Sequence, residues 1–88
     1  MTATLLATVD EFIQHLASER RLSPHTSSNY RRDLVSAANW LDQQQLDWQH
    51  LDAKAMRELL AFWHNQRLGS RTLQRHLSAL RTFYRWLL

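Results

Sequence analysis

Apolar residues recur at helical spacing in four segments of this chain, and polar residues fill the positions between them. In the first segment Leu5, Leu6, Val9, Phe12, Ile13 and Leu16 alternate with Asp10, Glu11, Gln14 and Ser18. A rotation of about 100° per residue gathers the apolar set on one side, so the pattern predicts a helix, α1, over residues 4–20. Ser23-Pro24 marks the next start: serine accepts from orphan N–H groups, while proline at the first helical position has no donor to waste and a preset φ. The helix that follows, α2, carries Tyr30, Leu34, Ala37, Ala38 and Leu41 inward and should end near residues 43–45. Residues 46–51 read as a connection whose apolar side chains lid the core. Asp52 caps α3, expected to reach about residue 67, with Met56, Leu59, Leu60 and Trp63 inward and Lys54, Glu58 and Asn65 outward. Gly69 is expected to close α3 as its left-handed residue, and Ser70 to cap α4, which runs to the end of the sequence. On α4 the inner stripe is Leu73, Leu77, Leu80, Tyr84 and Leu87, with Phe83 at its margin.

Composition narrows the class. One Gly and one Pro in 88 residues leave little room for hairpin turns, whereas Leu, Ala, Gln and Arg favour helix. The expected fold is all-α: a small four-helix bundle forming one domain over residues 1–88. With no cysteine, neither a disulfide nor a thiolate metal site can staple it, which fits a reducing cytoplasm. No apolar run is long enough to cross a bilayer and no signal-peptide pattern opens the chain, so no membrane partner is expected. Most aromatic residues sit on apolar stripes and read as core. Trp40 and Trp86 fall toward the polar side of their wheels, where an exposed Trp suggests a contact surface but cover by a loop is the expected explanation for at least one; Trp48, in the connection, carries no signal.

The charge pattern supplies the first functional lead. The formal net charge is +3, and ten of the eleven basic residues are arginine, the side chain suited to forked contacts with phosphate and guanine. From Leu59 onward there are five arginines and no acid. Arg71, Arg75, Ser78, Thr82 and Arg85 fall on the outer side of α4, with Gln74 beside them and Arg81 at the edge of the apolar stripe. A helix face kept only for solubility mixes both signs, because like charges at i, i+4 oppose the helix. This one-signed face therefore reads as a docking surface for nucleic acid. The first half of α2 complements it: His25, Ser28, Asn29 and Arg32 point outward, Arg31 lies at the flank, and Arg20 and Arg21 occupy the preceding turn. A phosphate placed at that helix start would also meet the positive end of the helix dipole.

No enzyme chemistry is legible. The histidines at 15, 25, 50, 64 and 76 lack the i, i+4 pairing and third ligand of a zinc site, so no metal or cofactor is expected. Ser23 and Ser70 read as helix caps, and no Gly-rich loop exists to cradle a nucleotide. By itself the chain is a binding module, expected to be monomeric. Two rivals remain: a helix-turn-helix repressor domain formed by α3, Gly69 and α4, and a protein-interaction bundle using the acidic outer face of α1. The length of α4 and its unbroken apolar stripe weigh against the repressor.

Two segments carry a resemblance. ERRLSPHTSSNYRRDL, residues 19–34, resembles the opening of the core-binding domain of tyrosine recombinases of the phage-integrase type, and LGSRTLQRHLSALRTFYRWL, residues 68–87, is similar to that domain's last helix. Their order and separation also agree, the likeness covers nearly the whole chain, and it is greatest to the Xer branch. It implies a SAM-like bundle at the N-terminus of a longer enzyme, clamping one face of double-stranded DNA while a catalytic domain outside this chain clamps the other. By position in the two motifs it implies Thr26, Arg31 and Arg32, and Arg71, Thr72, Gln74, Arg75, Ser78 and Arg81, as DNA-facing residues. Thr26 and Arg81 lie at the flanks of their helices, where bracing is the other role open to them. It further implies that the full-length protein works with a related, XerD-like recombinase in a synaptic tetramer that resolves chromosome dimers, its nucleophilic tyrosine being supplied by the catalytic domain rather than by Tyr30 or Tyr84.

Overall fold

The computed structural model describes residues 2–19 and 23–88. Four helices occur among them, with no strand: α1 (Thr2–Glu19), α2 (Pro24–Gln43), α3 (Ala53–Asn65) and α4 (Ser70–Leu87), plus a single 3-10 turn at Trp48–His50. None is long and apolar enough to cross a membrane. Arg20 and Arg21, expected to add charge before α2, lie outside the described residues.

The starts of α2 and α3 follow from local chemistry. Ser23 Oγ accepts from the Thr26 N–H at 3.2 Å, and Pro24 takes the first helical position. Asp52 caps α3 by accepting from the Ala55 N–H at 2.8 Å. The helix ends are less conventional. After Gln44 the chain turns left-handed at Gln45 (φ 57°), whose N–H reaches the Asp42 carbonyl, while the Leu46 N–H reaches Leu41 at 2.9 Å. That pair of bonds is a Schellman motif, and half-buried Leu46 packs onto the core as the hydrophobic residue that accompanies it. The left-handed residue at this helix end is thus a glutamine, without the help of glycine.

At the α3–α4 joint the expectation shifts by two residues. Arg67, not Gly69, is left-handed (φ 59°), its N–H bonded to the His64 carbonyl, and α3 ends at Asn65. Gly69 has an extended conformation (φ −65°, ψ 159°) and is itself the N-cap of α4, so Ser70 is the first helical residue rather than the cap. The reason lies in Leu68: half-buried against the core, it can turn inward only if the chain reverses immediately before it.

Leu5, Val9, Phe12 and Leu16 of α1, Leu34, Ala37, Ala38 and Leu41 of α2, Leu59 and Trp63 of α3, and Ala79, Leu80 and Phe83 of α4 form one buried core. Phe83 is at its centre: Phe12 meets it edge-on at 5.3 Å between ring centroids and Trp48 at 4.6 Å. Trp48, uninformative in the sequence, is a buried keystone of the connection; its indole N–H donates to the Leu5 carbonyl at 3.2 Å and its own carbonyl accepts from the Tyr84 hydroxyl. Trp40 is buried as well, although its wheel turns it toward the polar side. It lies one turn beyond Ser36, whose hydroxyl accepts from the Trp63 indole at 2.9 Å, so α3 covers the side that a wheel for α2 alone assigns to water. Trp86 is half-buried against Phe12 and His15.

Candidate nucleic-acid interface

Burial rotates the outer face of α4 relative to the sequence expectation. His76, Ala79, Leu80 and Phe83 are buried, whereas Leu73, Leu77, Tyr84 and Leu87 are only half so. The exposed stripe is consequently Arg71, Gln74, Ser78, Arg81 and Arg85, spaced three and four residues apart. Arg81, placed by the wheel at the apolar margin, is in this stripe, beside a groove lined by Met56, Leu77, Leu80 and Tyr84. Arg75 and Thr82, placed on the outer face, have moved to its edge and are half-buried. No acid occurs anywhere on α4.

Arg75 sits where α4 meets α2. Its Nε donates to Asp33 Oδ2 at 3.0 Å and its Nη2 to Asp33 Oδ1 at 3.0 Å, a side-on fork. The Asp33 side chain is 0% exposed and that of Arg75 37%, so the carboxylate is sealed in the seam while the guanidinium reaches solvent. The hydrogen bonds it donates to Asp33, more than the charge of that carboxylate, hold the guanidinium above its already high ordinary pKa against partial desolvation. His76 closes the inner side: its Nδ1 lies 3.2 Å from Asp33 Oδ1 but out of line for a hydrogen bond, and its ring meets Trp63 edge-on at 4.6 Å. Burial depresses the His76 pKa, partly offset by the Asp33 carboxylate and the Thr72 backbone, so the ring is neutral at pH 7.

The other expected residues distribute around this seam. Arg32, exposed, and Asn29, half-exposed, precede Asp33 by one residue and by one turn; Arg71 and Ser78 flank Arg75 by one turn on either side. These four and exposed Gln74 border the point where the two helices join. Arg31 points elsewhere, its Nε 2.8 Å from Asp10 Oδ1 on α1, with both side chains about half exposed. An exposed pair of this kind contributes about 0–1 kcal/mol, little enough for a phosphate to compete for the arginine. Ser28, with Arg31, Arg32 and Val35, lines a shallow depression on α2. His25 is exposed in the first turn of α2; Thr26 is engaged by the cap, its Oγ1 3.0 Å from Ser23 Oγ; Thr72 is half-buried, facing His76 through its backbone. Asn29, Arg32, Arg71, Gln74 and Ser78 thus lie within one helical turn of the Asp33–Arg75 pair along their own helices, while Arg31 is drawn toward α1 and Thr26 is held by the cap.

The family described as the phage integrase N-terminal SAM-like domain matches residues 9–88. The chain belongs to that family. This SAM-like domain is 51% identical over 83 residues to the tyrosine recombinase XerC of Alcanivorax borkumensis, 48% identical over 83 residues to that of Azotobacter vinelandii, and 36% identical over 94 residues to that of Xanthomonas axonopodis pv. citri. Those matches cover 93% to 94% of the domain but only 26% to 31% of each relative's length. No solved structure matches it.

One residue of this candidate interface was not singled out from the sequence of the SAM-like domain. Asp33 was available: an acid one residue before Leu34 and four before Ala37 lies on the inward side of α2, and a buried acid needs a cation from another helix. Arg85, read from the sequence as part of the outer face of α4, shares the exposed stripe with Arg71, Ser78 and Arg81.

Proposed function

We propose that this chain is the DNA-binding domain of a Xer-type tyrosine recombinase and that it grips duplex DNA through α2 and α4. The observation that carries the reading is the exposed, acid-free stripe from Arg71 to Arg85. At 1.5 Å per residue it extends about 21 Å, and a helix of that kind fits a major groove about 12 Å wide. Arg32 and the start of α2 adjoin it across the Asp33–Arg75 seam, giving a second line of phosphate contacts. In the full-length protein, a XerC-like recombinase by its relatives, strand cleavage belongs to a catalytic domain outside residues 1–88, and a second, related recombinase completes a synaptic tetramer acting on chromosome dimers in the cytoplasm. Neither tyrosine here suits a nucleophile. Tyr84 donates to the Trp48 carbonyl, and burial, followed by the nearby charge of Asp47, pushes its hydroxyl far above the ordinary range.

The test is a salt titration of duplex binding by fluorescence anisotropy. With about four to six phosphate contacts, log K should fall against log salt with a slope of roughly −4 to −5. A flat response, or no binding at low salt, refutes the reading.

A further inference from the structure

Arginine has five N–H donors in a plane, and the way Asp33 engages Arg75 divides them unequally. Nε–H and one Nη2–H point to the carboxylate, through contacts of 3.0 Å each. Nη1 keeps both of its hydrogens and Nη2 keeps one, which leaves the end-on edge of the guanidinium whole. That edge is itself a fork, able to give two parallel hydrogen bonds to two oxygens. Because the Asp33 side chain is fully buried and α4 cannot move relative to α2 without breaking the pair, the direction of the free edge is fixed before any ligand arrives. The exposed arginines of the stripe, at 71, 81 and 85, have no such fork: they must be immobilised during binding.

We infer that Asp33 is a positioning residue, which holds Arg75 by its side-on edge and presents the end-on edge to a backbone phosphate of duplex DNA. This rests on the DNA-binding function proposed above and adds to it a division of labour: one pre-oriented arginine fixes the register of α4 in the groove, and mobile arginines add charge around it. Such pre-orientation saves the immobilisation of one long side chain, an effect of about two- to tenfold in affinity.

The inference predicts a sign opposite to that of simple electrostatics. Asp33→Asn removes a negative charge beside a polyanion, so Coulomb interaction alone makes DNA binding tighter. A positioning role makes it weaker, because the amide no longer holds the fork. Binding would be measured by anisotropy on a duplex of A·T pairs only, which offers phosphates but no guanine, at temperatures where circular dichroism shows each variant folded. Asp33→Asn should bind about two- to tenfold more weakly than wild type, and the same change in an Arg75→Ala background should cause no further weakening. Arg75→Lys, which keeps the charge but not the fork, should lose a similar factor with the salt slope unchanged. Asp33→Asn binding as tightly as wild type or more so, or weakening both backgrounds equally, overturns the assignment. Where Asp33→Asn fails to fold, Arg75→Lys decides: affinity equal to wild type overturns it. Absence of salt-dependent binding by the wild-type chain would instead overturn the proposed function itself.

Discussion

Replacing Arg75 with alanine separates an arginine in a seam from an arginine in water. A solvated arginine on the outer face of α4 contributes no more than about 0.5 kcal/mol to stability. The structure demands more. Asp33 accepts three contacts of 3.0 to 3.3 Å from Arg75, and its side chain is 0% exposed. Breaking a buried ion pair by removing one partner costs about 3–5 kcal/mol, since the other charge stays behind uncompensated. Here the cost is smaller, because the Arg75 side chain is 37% exposed and its removal opens a path for water to the carboxylate. We expect roughly 2–3 kcal/mol, which for a domain of this size corresponds to a fall in Tm of roughly 10–20 °C. Thermal and urea unfolding of wild type, Arg75→Ala and the exposed control Arg71→Ala would measure it, with the control expected within about 0.5 kcal/mol of wild type. If Arg75→Ala also lies within about 0.5 kcal/mol, the pair does not stabilise the seam and Arg75 is a surface residue after all.

Two further outcomes follow from the same geometry. The His76 pKa is depressed in the folded state, chiefly by burial, so as pH falls below about 6.5 the unfolded chain takes up a proton that the folded one refuses, and stability declines by up to about 1.4 kcal/mol per pH unit; urea midpoints at pH 7.5 and 5.5 should show a smaller decline in His76→Gln than in wild type. Gly69 is an N-cap in an extended conformation, with nothing within 4 Å of an added Cβ, so Gly69→Ser should stabilise the domain by about 0.5–1 kcal/mol by supplying a cap and restricting the unfolded chain; a loss of stability on thermal unfolding would show that the glycine is needed for its backbone.

Which features were legible depended on how local their causes are. Ser23, Pro24 and Asp52 set helix starts through atoms within one turn, and the sequence alone located those starts correctly. The α3–α4 joint was misplaced by two residues because glycine was given more weight than the leucine beyond the turn. In both helix ends the left-handed residue directly precedes a leucine that packs inward: Gln45 before Leu46 and Arg67 before Leu68. The hydrophobic residue sets the point of reversal, and the side chain in the left-handed position tolerates the strain. Trp40 was placed toward the polar side for a related reason. A wheel drawn for α2 has one inside, whereas α2 in the bundle meets α1, α3 and α4 on three sides, through Arg31–Asp10, Ser36–Trp63 and Asp33–Arg75.

The same difference governs the candidate interface. A wheel finds the centre of hydrophobicity of α4, but the bundle buries the side that neighbouring helices fill. Those two directions differ here because Leu77 and Tyr84 border a groove open to solvent, while His76 and Ala79, less apolar or smaller, are enclosed. Rotating the helix by that difference exchanges the parts of two arginines. Arg81 leaves the apolar margin for the exposed stripe, and Arg75 leaves the middle of that stripe for the seam with Asp33. Loss of Arg81 should then remove one mobile charge, visible as a salt slope smaller by about one with stability unchanged, whereas loss of Arg75 should appear in both stability and affinity. An arginine on this domain that changes binding without changing stability belongs to the stripe; one that changes both belongs to the seam.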